Sequence, residues 1–272
     1  MIRRRAGAHG TRTLPRVLVV PAVLGLALLV VPLAALVARV DWATLPADIT
    51  SPDALSALGL SLSTAVVATL GCLVLGAPLA LLIARSGPRL AAVLRAAVTV
   101  PLVLPPMVGG VALLYLFGRN GWGGILLAGI GVRLPFTTTA VVIAQVFVAL
   151  PFLVLSLEGA LRARGSGYEV AAASLGAGPW TVLRRVTLPL AAPGLVAGTV
   201  LCFARAMGEF GATALFAGNA PGVTQTMPLA IYTAFNGAGV DTSTAVALSL
   251  LLLVTSIAVL VAVRAWRFGS VR

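Results

Sequence analysis

The sequence predicts an all-α integral membrane domain with six transmembrane helices and both termini on the cytoplasmic side. Three observations carry this prediction: an apolar composition, six apolar runs of spanning length, and arginines that gather in alternate loops. Sixty per cent of the 272 residues are hydrophobic, 10% are charged, and the mean hydropathy is +1.08. A soluble domain carries about 25% charged residues, so this chain belongs in a bilayer.

A spanning helix needs about 20 apolar residues. Runs of that kind extend over Val17 to Val37, Leu60 to Ala84, Ala96 to Phe117, Thr137 to Leu157, Ala191 to about Ala217, and Ala245 to Val263. The first follows Arg3, Arg4 and Arg5, as a secretory signal does, yet it is longer than a signal core and lacks a small-x-small cleavage site. It reads as a retained helix. The third contains Pro101, Pro105, Pro106, Gly109 and Gly110, which a membrane helix tolerates where neighbours satisfy the freed backbone groups. Close packing through small residues is the reading preferred there over a water-filled path.

Short cytoplasmic loops hold the excess of Lys and Arg. Arg3, Arg4, Arg5, Arg12 and Arg16 precede the first run, and Arg85, Arg89 and Arg95 join the second to the third. Arg162, Arg164, Arg184 and Arg185 join the fourth to the fifth, and Arg264, Arg267 and Arg272 follow the sixth. These four sets fall on one side. Arg39, Arg119, Arg133, Asp41, Asp48, Asp53 and Asp241 fall on the other. The organisation expected is a cytoplasmic arm over residues 1–16, one transmembrane domain over 17–263, and a cytoplasmic tail over 264–272. The net charge of +12 is explained by this topology, and no nucleic-acid partner is called for.

Catalytic and metal chemistry are not expected. The chain has no lysine, which excludes a phosphate-binding loop of the GxxxxGK[ST] type and ATP hydrolysis by that route. Its one histidine, His9, stands in the polar arm with no second ligand nearby. Cys72 and Cys202 lie in apolar runs and read as small packing residues rather than a disulfide or metal pair. Trp122 and Trp266 read as interfacial anchors. Within the spans, Arg205 and Glu209 are the only ionisable candidates. Gln145, Ser61, Ser63, Thr64, Ser243 and Thr244 could line a path, but Ser and Thr in helices more often bond their own carbonyls.

Two segments carry specific signals. Ser166 to Trp180, followed by Arg184-Arg-Val-Thr-Leu-Pro189, is a polar loop between apolar runs. Ser166 and Glu169 have capping-box spacing, Gly176 supplies a left-handed stop, Pro179 starts a second short helix and Pro189 ends it. The pattern resembles the EAA loop of the membrane subunits of binding-protein-dependent ABC importers. In this chain Glu169, Ala171, Ala172, Gly176, Val186, Leu188 and Pro189 carry the likeness, although Val170 occupies the usual Glu position and Glu169 stands one residue early. The resemblance implies that residues 166–189 are a coupling loop that sits in a groove of a cytoplasmic ATPase.

The second segment is Cys202-Phe-Ala-Arg-Ala-Met-Gly-Glu-Phe-Gly-Ala-Thr-Ala-Leu-Phe-Ala-Gly-Asn219, with Thr224-Gln-Thr-Met-Pro-Leu-Ala-Ile-Tyr232 after it. Arg205 and Glu209 are four apart and able to pair, which offsets part of the cost of placing charge in a membrane. The segment resembles the molybdate and tungstate branch of these permeases, and the related sulfate branch. Arg205, Gly208, Glu209, Gly211 and Thr213 are the candidate pathway or gate residues. A fixed structural ion pair is the competing reading of Arg205 and Glu209.

Together the resemblances imply a type I ABC importer permease fold in the cytoplasmic membrane of a prokaryote. They imply a second copy of this chain, an ATPase that binds ATP and Mg, and an external oxyanion-binding protein as partners, with no cofactor on the chain itself. The function expected is ATP-driven import of molybdate or tungstate. A sulfate or thiosulfate permease subunit and a gradient-driven anion carrier are the alternatives.

Overall fold

The computed structural model describes residues 16–165, 167–237 and 242–269. In chain order its helices are α1 (Arg16–Ala38), α2 (Leu45–Ile49), α3 (Pro52–Arg85), α4 (Pro88–Val103), α5 (Pro106–Phe117), α6 (Trp122–Ala128), α7 (Thr138–Arg164), α8 (Gly167–Ser174), α9 (Pro179–Val182), α10 (Leu188–Met207), α11 (Gly211–Phe216), α12 (Met227–Asn236) and α13 (Thr242–Gly269), with a π-helical turn at Leu183–Thr187 joining α9 to α10. The expectations placed on residues 1–15, Ser166, Asp241 and 270–272 lie outside the described residues, as does the side chain of Trp266.

Among the described residues five helical segments are long and apolar enough to span a membrane, and α4 with α5 makes a sixth if the bent pair counts as one span. The third span was expected to be one helix over Ala96 to Phe117. It is instead bent by 110°. Leu104 (ψ 136°) and Pro105 (ψ 133°) are extended, because a proline drives the residue before it out of the helical region and two successive prolines remove two N–H donors.

The fifth span also differs. It begins at Pro179 and stops at Met207, whereas Ala191 to Ala217 was expected, and Pro189 does not end the helix that precedes it. The π turn explains this: Leu188 N–H reaches back five residues to Leu183 O, and the widened turn gives the Pro189 ring room within a continuing helix.

At the centre stands α7, whose start is capped by Thr137 Oγ1 accepting from Ala140 N at 3.2 Å. It packs against both α3 and α10. The approach of α10 relies on glycine: a Cβ on Gly194 would lie 2.2 Å from Ala160 Cβ, and one on Gly198 would lie 3.0 Å from Ser156 Cβ. Ser156 Oγ then donates to Gly194 O at 3.0 Å, a small-residue interface of the kind that drives helix association in lipid. Cys72 and Cys202 are free and buried in this core beside Ala65, Ala149 and Leu153, which bears out their reading as packing residues. By contrast, α1 is apolar on all sides, exposed along nearly its whole length, and makes its main described contact with α13.

Arg85, Arg95 and Arg162 gather with Glu158 and Glu169 at one end of the bundle. At the other end Thr244 Oγ1 donates to Asp48 Oδ1 at 3.1 Å and Thr138 Oγ1 to Val223 O at 2.8 Å. The loops that carry Arg85 and Arg162 thus lie at one end of the bundle and the segment that carries Asp48 at the other. Two expected outcomes follow. Cysteines placed singly at Leu175 and Asn219, in a background lacking Cys72 and Cys202, should be labelled from opposite membrane faces by an impermeant thiol reagent. Gly194→Ala should destabilise the detergent-solubilised protein by about 1–3 kcal/mol through overpacking, read as a lowered melting midpoint; an unchanged midpoint would show that α7 and α10 yield freely.

Candidate functional site: a helical loop at one end and a broken helix in the span

In the loop, α8 ends in a Schellman motif. Gly176 has φ +86°, its N–H bonds Ala173 O at 2.9 Å, and Ala177 N–H bonds Ala172 O at 3.1 Å. The left-handed stop at Gly176 is present, and a Cβ there would meet nothing within 4 Å, so the backbone conformation alone selects glycine. Tyr168, Val170, Leu175 and Trp180 stand 60–89% exposed around the turn, and Arg184 lies over the Trp180 ring at 5.8 Å. Ala171 is exposed, while Ala172, Val186 and Leu188 are half-buried and Pro189 is exposed. The loop thus presents bulky apolar groups on its outer side.

Glu169 points the other way. Its carboxylate accepts from Arg85 Nη2 at 3.3 Å and from the Thr187 hydroxyl, and Thr187 in turn bonds Arg85. Three elements therefore meet at this carboxylate: the end of α3, α8 and the π turn. Thr187 lies inside the recognised stretch 184–189, but sequence reading did not single it out, because its partners are 18 and 102 residues away.

A second cluster corrects the expectation that Arg205 and Glu209 are the only ionisable groups within the spans. Glu158, 3% exposed in α7, pairs with Arg95 of α4 through Nε and Nη2 and with Arg162 Nε at 2.7 Å. The signal was present in part, since Arg162 follows Glu158 by one helical turn. Arg95 was hidden because its partner is 63 residues away.

In the second segment, Arg205 Nη2 contacts Glu209 Oε2 at 2.7 Å, with the Glu209 side chain 1% and that of Arg205 23% exposed. The pair was expected on one helical face, with Gly208 and Gly211 allowing a bend at Glu209. It forms across a full break: α10 stops at Met207, Gly208 is its C-cap, and Glu209 stands in the gap before α11. There Glu209 Oε1 accepts from Ala212 N at 2.7 Å, so one carboxylate holds both α10 and α11. Gly211 is packed tightly, with a built Cβ 3.0 Å from Pro106 Cβ, whereas Gly208 would meet only Ala204 O at 3.6 Å. Thr213 is fully buried and its Oγ1 lacks a partner among the described residues.

The two recognised stretches of this segment are in contact. The Phe210 and Tyr232 rings lie 5.0 Å apart, and Asn219 Nδ2 donates to Thr233 Oγ1 at 2.8 Å. The start of α12 is fixed by Met227 N donating to Ser61 Oγ at 2.7 Å. Of the other neutral residues, Ser63 and Thr64 bond the carbonyl of Leu60, as expected of membrane hydroxyls. Gln145 is buried, with its Oε1 unpartnered among the described residues.

A multi-span helical bundle with a bent third span, a broken fifth span and an exposed helical loop is the architecture of an importer permease. A chain of the MetNI methionine ABC transporter aligns with a TM-score of 0.61 over 78% of this chain and 94% of its own, at 22% identity. A chain of a bacterial ABC transporter that imports the acidic polysaccharide alginate aligns with a TM-score of 0.71 over 92% and 93%, at 15% identity. At these identities the likeness shows the fold.

Residues 76–267 match the family of binding-protein-dependent transport system inner membrane components, and the chain belongs to that family. It is 52% identical over 257 residues, 94% of this chain and 96% of the relative, to the molybdenum transport system permease protein ModB of Mycobacterium tuberculosis. It is 40% identical over 187 residues, 68% of this chain and 82% of the relative, to the protein of that name in Escherichia coli K12. The chain is a multi-pass membrane permease.

Glu158→Gln should lower the melting midpoint of the purified protein more than Glu169→Gln does. The first change strips two arginines of a buried counter-charge, and the second acts at a 27% exposed carboxylate. Equal shifts would assign the two clusters equal weight.

Proposed function

We propose that this chain is the permease subunit of an ATP-driven importer of molybdate or tungstate. It acts as a homodimer whose path lies at the two-fold axis, served by one external oxyanion-binding protein. The extent of its likeness to molybdenum-transport permeases, spanning both specific segments, carries the reading.

The geometry supplies a mechanism for it. A cytoplasmic ATPase receives the loop turn between α8 and α9, where Tyr168, Val170, Leu175 and Trp180 offer the apolar contacts that dominate such docking. The loop is bound back into the bundle by Glu169, Arg85 and Thr187, so its displacement moves α3 and α10 with it. ATP and Mg belong to the partner, and this chain performs no chemistry on the anion. Arg205 is the charge that an oxyanion meets in the span, and Glu209 moderates it so that the anion is not held too tightly.

Gly176→Val forces a β-branched residue to a positive φ at a cost of about 1 kcal/mol or more. Recovery of the ATPase in co-purification should fall while membrane insertion is unchanged; full recovery with normal transport would remove the loop from docking. The reconstituted complex should import labelled molybdate and tungstate in an ATP-dependent manner. Import of sulfate alone would reassign the chain to the sulfate branch, and import driven by an ion gradient without ATP would overturn the reading altogether.

A further inference from the structure

Two interruptions of the membrane helices lie side by side. One separates α4 from α5 at Leu104 and Pro105, and the other separates α10 from α11 at Gly208 to Phe210. A Cβ on Gly211 would stand 3.0 Å from Pro106 Cβ and 3.1 Å from Met107 N, so the first residues beyond each break touch. One turn further, a Cβ on Gly110 would stand 2.7 Å from Ala212 O and 3.1 Å from Leu215 Cβ. The half-helices α5 and α11 therefore interlock backbone to backbone, and both join the longer helices at the same level.

This interlocked pair rests on a smooth face. Leu113, Ala212, Phe216 and Ala217 pack with Ala140 and Ala144 of α7, and beside these apolar contacts Phe136 N, just before α7, donates to Phe216 O at the far end of α11 at 3.3 Å. Burial is also incomplete in its chemistry, since Thr213 Oγ1 on α11 and Gln145 Oε1 on α7 have no partner among the described residues. An unsatisfied buried group penalises the packed arrangement and is relieved when water reaches it. Against that penalty stand the long backbone bond at Phe216 and, at the hinge, Glu209, whose Oε2 holds Arg205 of α10 and whose Oε1 holds Ala212 N of α11.

We propose that α5 and α11 form a single gate leaf hinged at residues 104–105 and 208–210, and that Glu209 is the clasp that keeps it shut against α7. The clasp stands at the end of a continuous helical rod from Pro179 to Met207, so a displacement of the loop next to Pro179 is delivered to it directly. This rests on the transport reading above for the leaf's role as a gate. In this added role Glu209 is a positioning residue that acts through the leaf.

The test uses the full chain in liposomes, lacking Cys72 and Cys202, with a single reporter, Leu113→Cys on α5 or Ala217→Cys at the C-cap of α11. Both positions are buried under the leaf, at 6% and 1% exposure, and should react slowly with an impermeant maleimide. Glu209→Gln keeps an acceptor for Ala212 N but loses the charge pair, and it should raise both rates together by about tenfold. Arg205→Ala removes the same pair from the other side and should do likewise, which preserves the comparison if one variant assembles poorly. Unchanged rates in variants that elute as the parent does would overturn the clasp. A rise at Ala217→Cys without one at Leu113→Cys would overturn the single leaf. Labelling needs neither ATPase nor anion, so a parent protein that imports no oxyanion would refute the transport reading while leaving this result intact.

Discussion

Inside a bilayer a backbone N–H or C=O finds no water, so each interruption of a helix must be answered by the protein itself. Much of this structure follows from how its interruptions are answered. Where α10 breaks, the Glu209 carboxylate accepts from the first turn of α11. Where α12 starts, Ser61 Oγ accepts from Met227 N. Between α4 and α5, Pro105 and Pro106 carry no N–H donor at all, leaving fewer groups to satisfy. Polar side chains in the span are therefore structural necessities first, and Glu209 becomes available for function because it already occupies a backbone site.

The bundle divides its charges accordingly. Glu158 and Glu169, at the end that carries the arginine-rich loops, each gather partners from distant parts of the chain and bind α3, α4, α7 and the loop into one piece. The opposite half has lighter ties, mostly single hydrogen bonds such as Thr138 to Val223 and Asn219 to Thr233. A stiff end and a loosely tied end are what a permease needs if force enters at one and a passage opens at the other.

Much of this was legible in the sequence because it is local. Span number followed from apolar length, the left-handed turn at Gly176 from its place after a helical run, and the Arg205–Glu209 pair from a spacing of four. What escaped was long-range or competitive. The 110° bend at Leu104 and Pro105 depends on two prolines acting together, where the hydropathy of the run suggested an unbroken helix. Pro189 looked like a terminator because its ring normally clashes with the preceding turn, and a π turn relieved the clash. Arg95 and Glu158 are 63 residues apart, and no periodicity links them. The interlock of Gly110 with Ala212 likewise appears only when the helices are assembled.

The π turn at Leu183–Thr187 sets a phase as well as sparing Pro189. One extra residue in a helix rotates everything before it by roughly 100° relative to everything after it. The azimuth at which Trp180 and the loop turn leave the bundle is thus fixed by a single inserted residue. Removing one residue from this turn would restore an ordinary helical register and leave every contact of α10 with α7 in place, yet it would aim the loop at a different quadrant. Direction and attachment are encoded separately in this rod, so the first can change without disturbing the second.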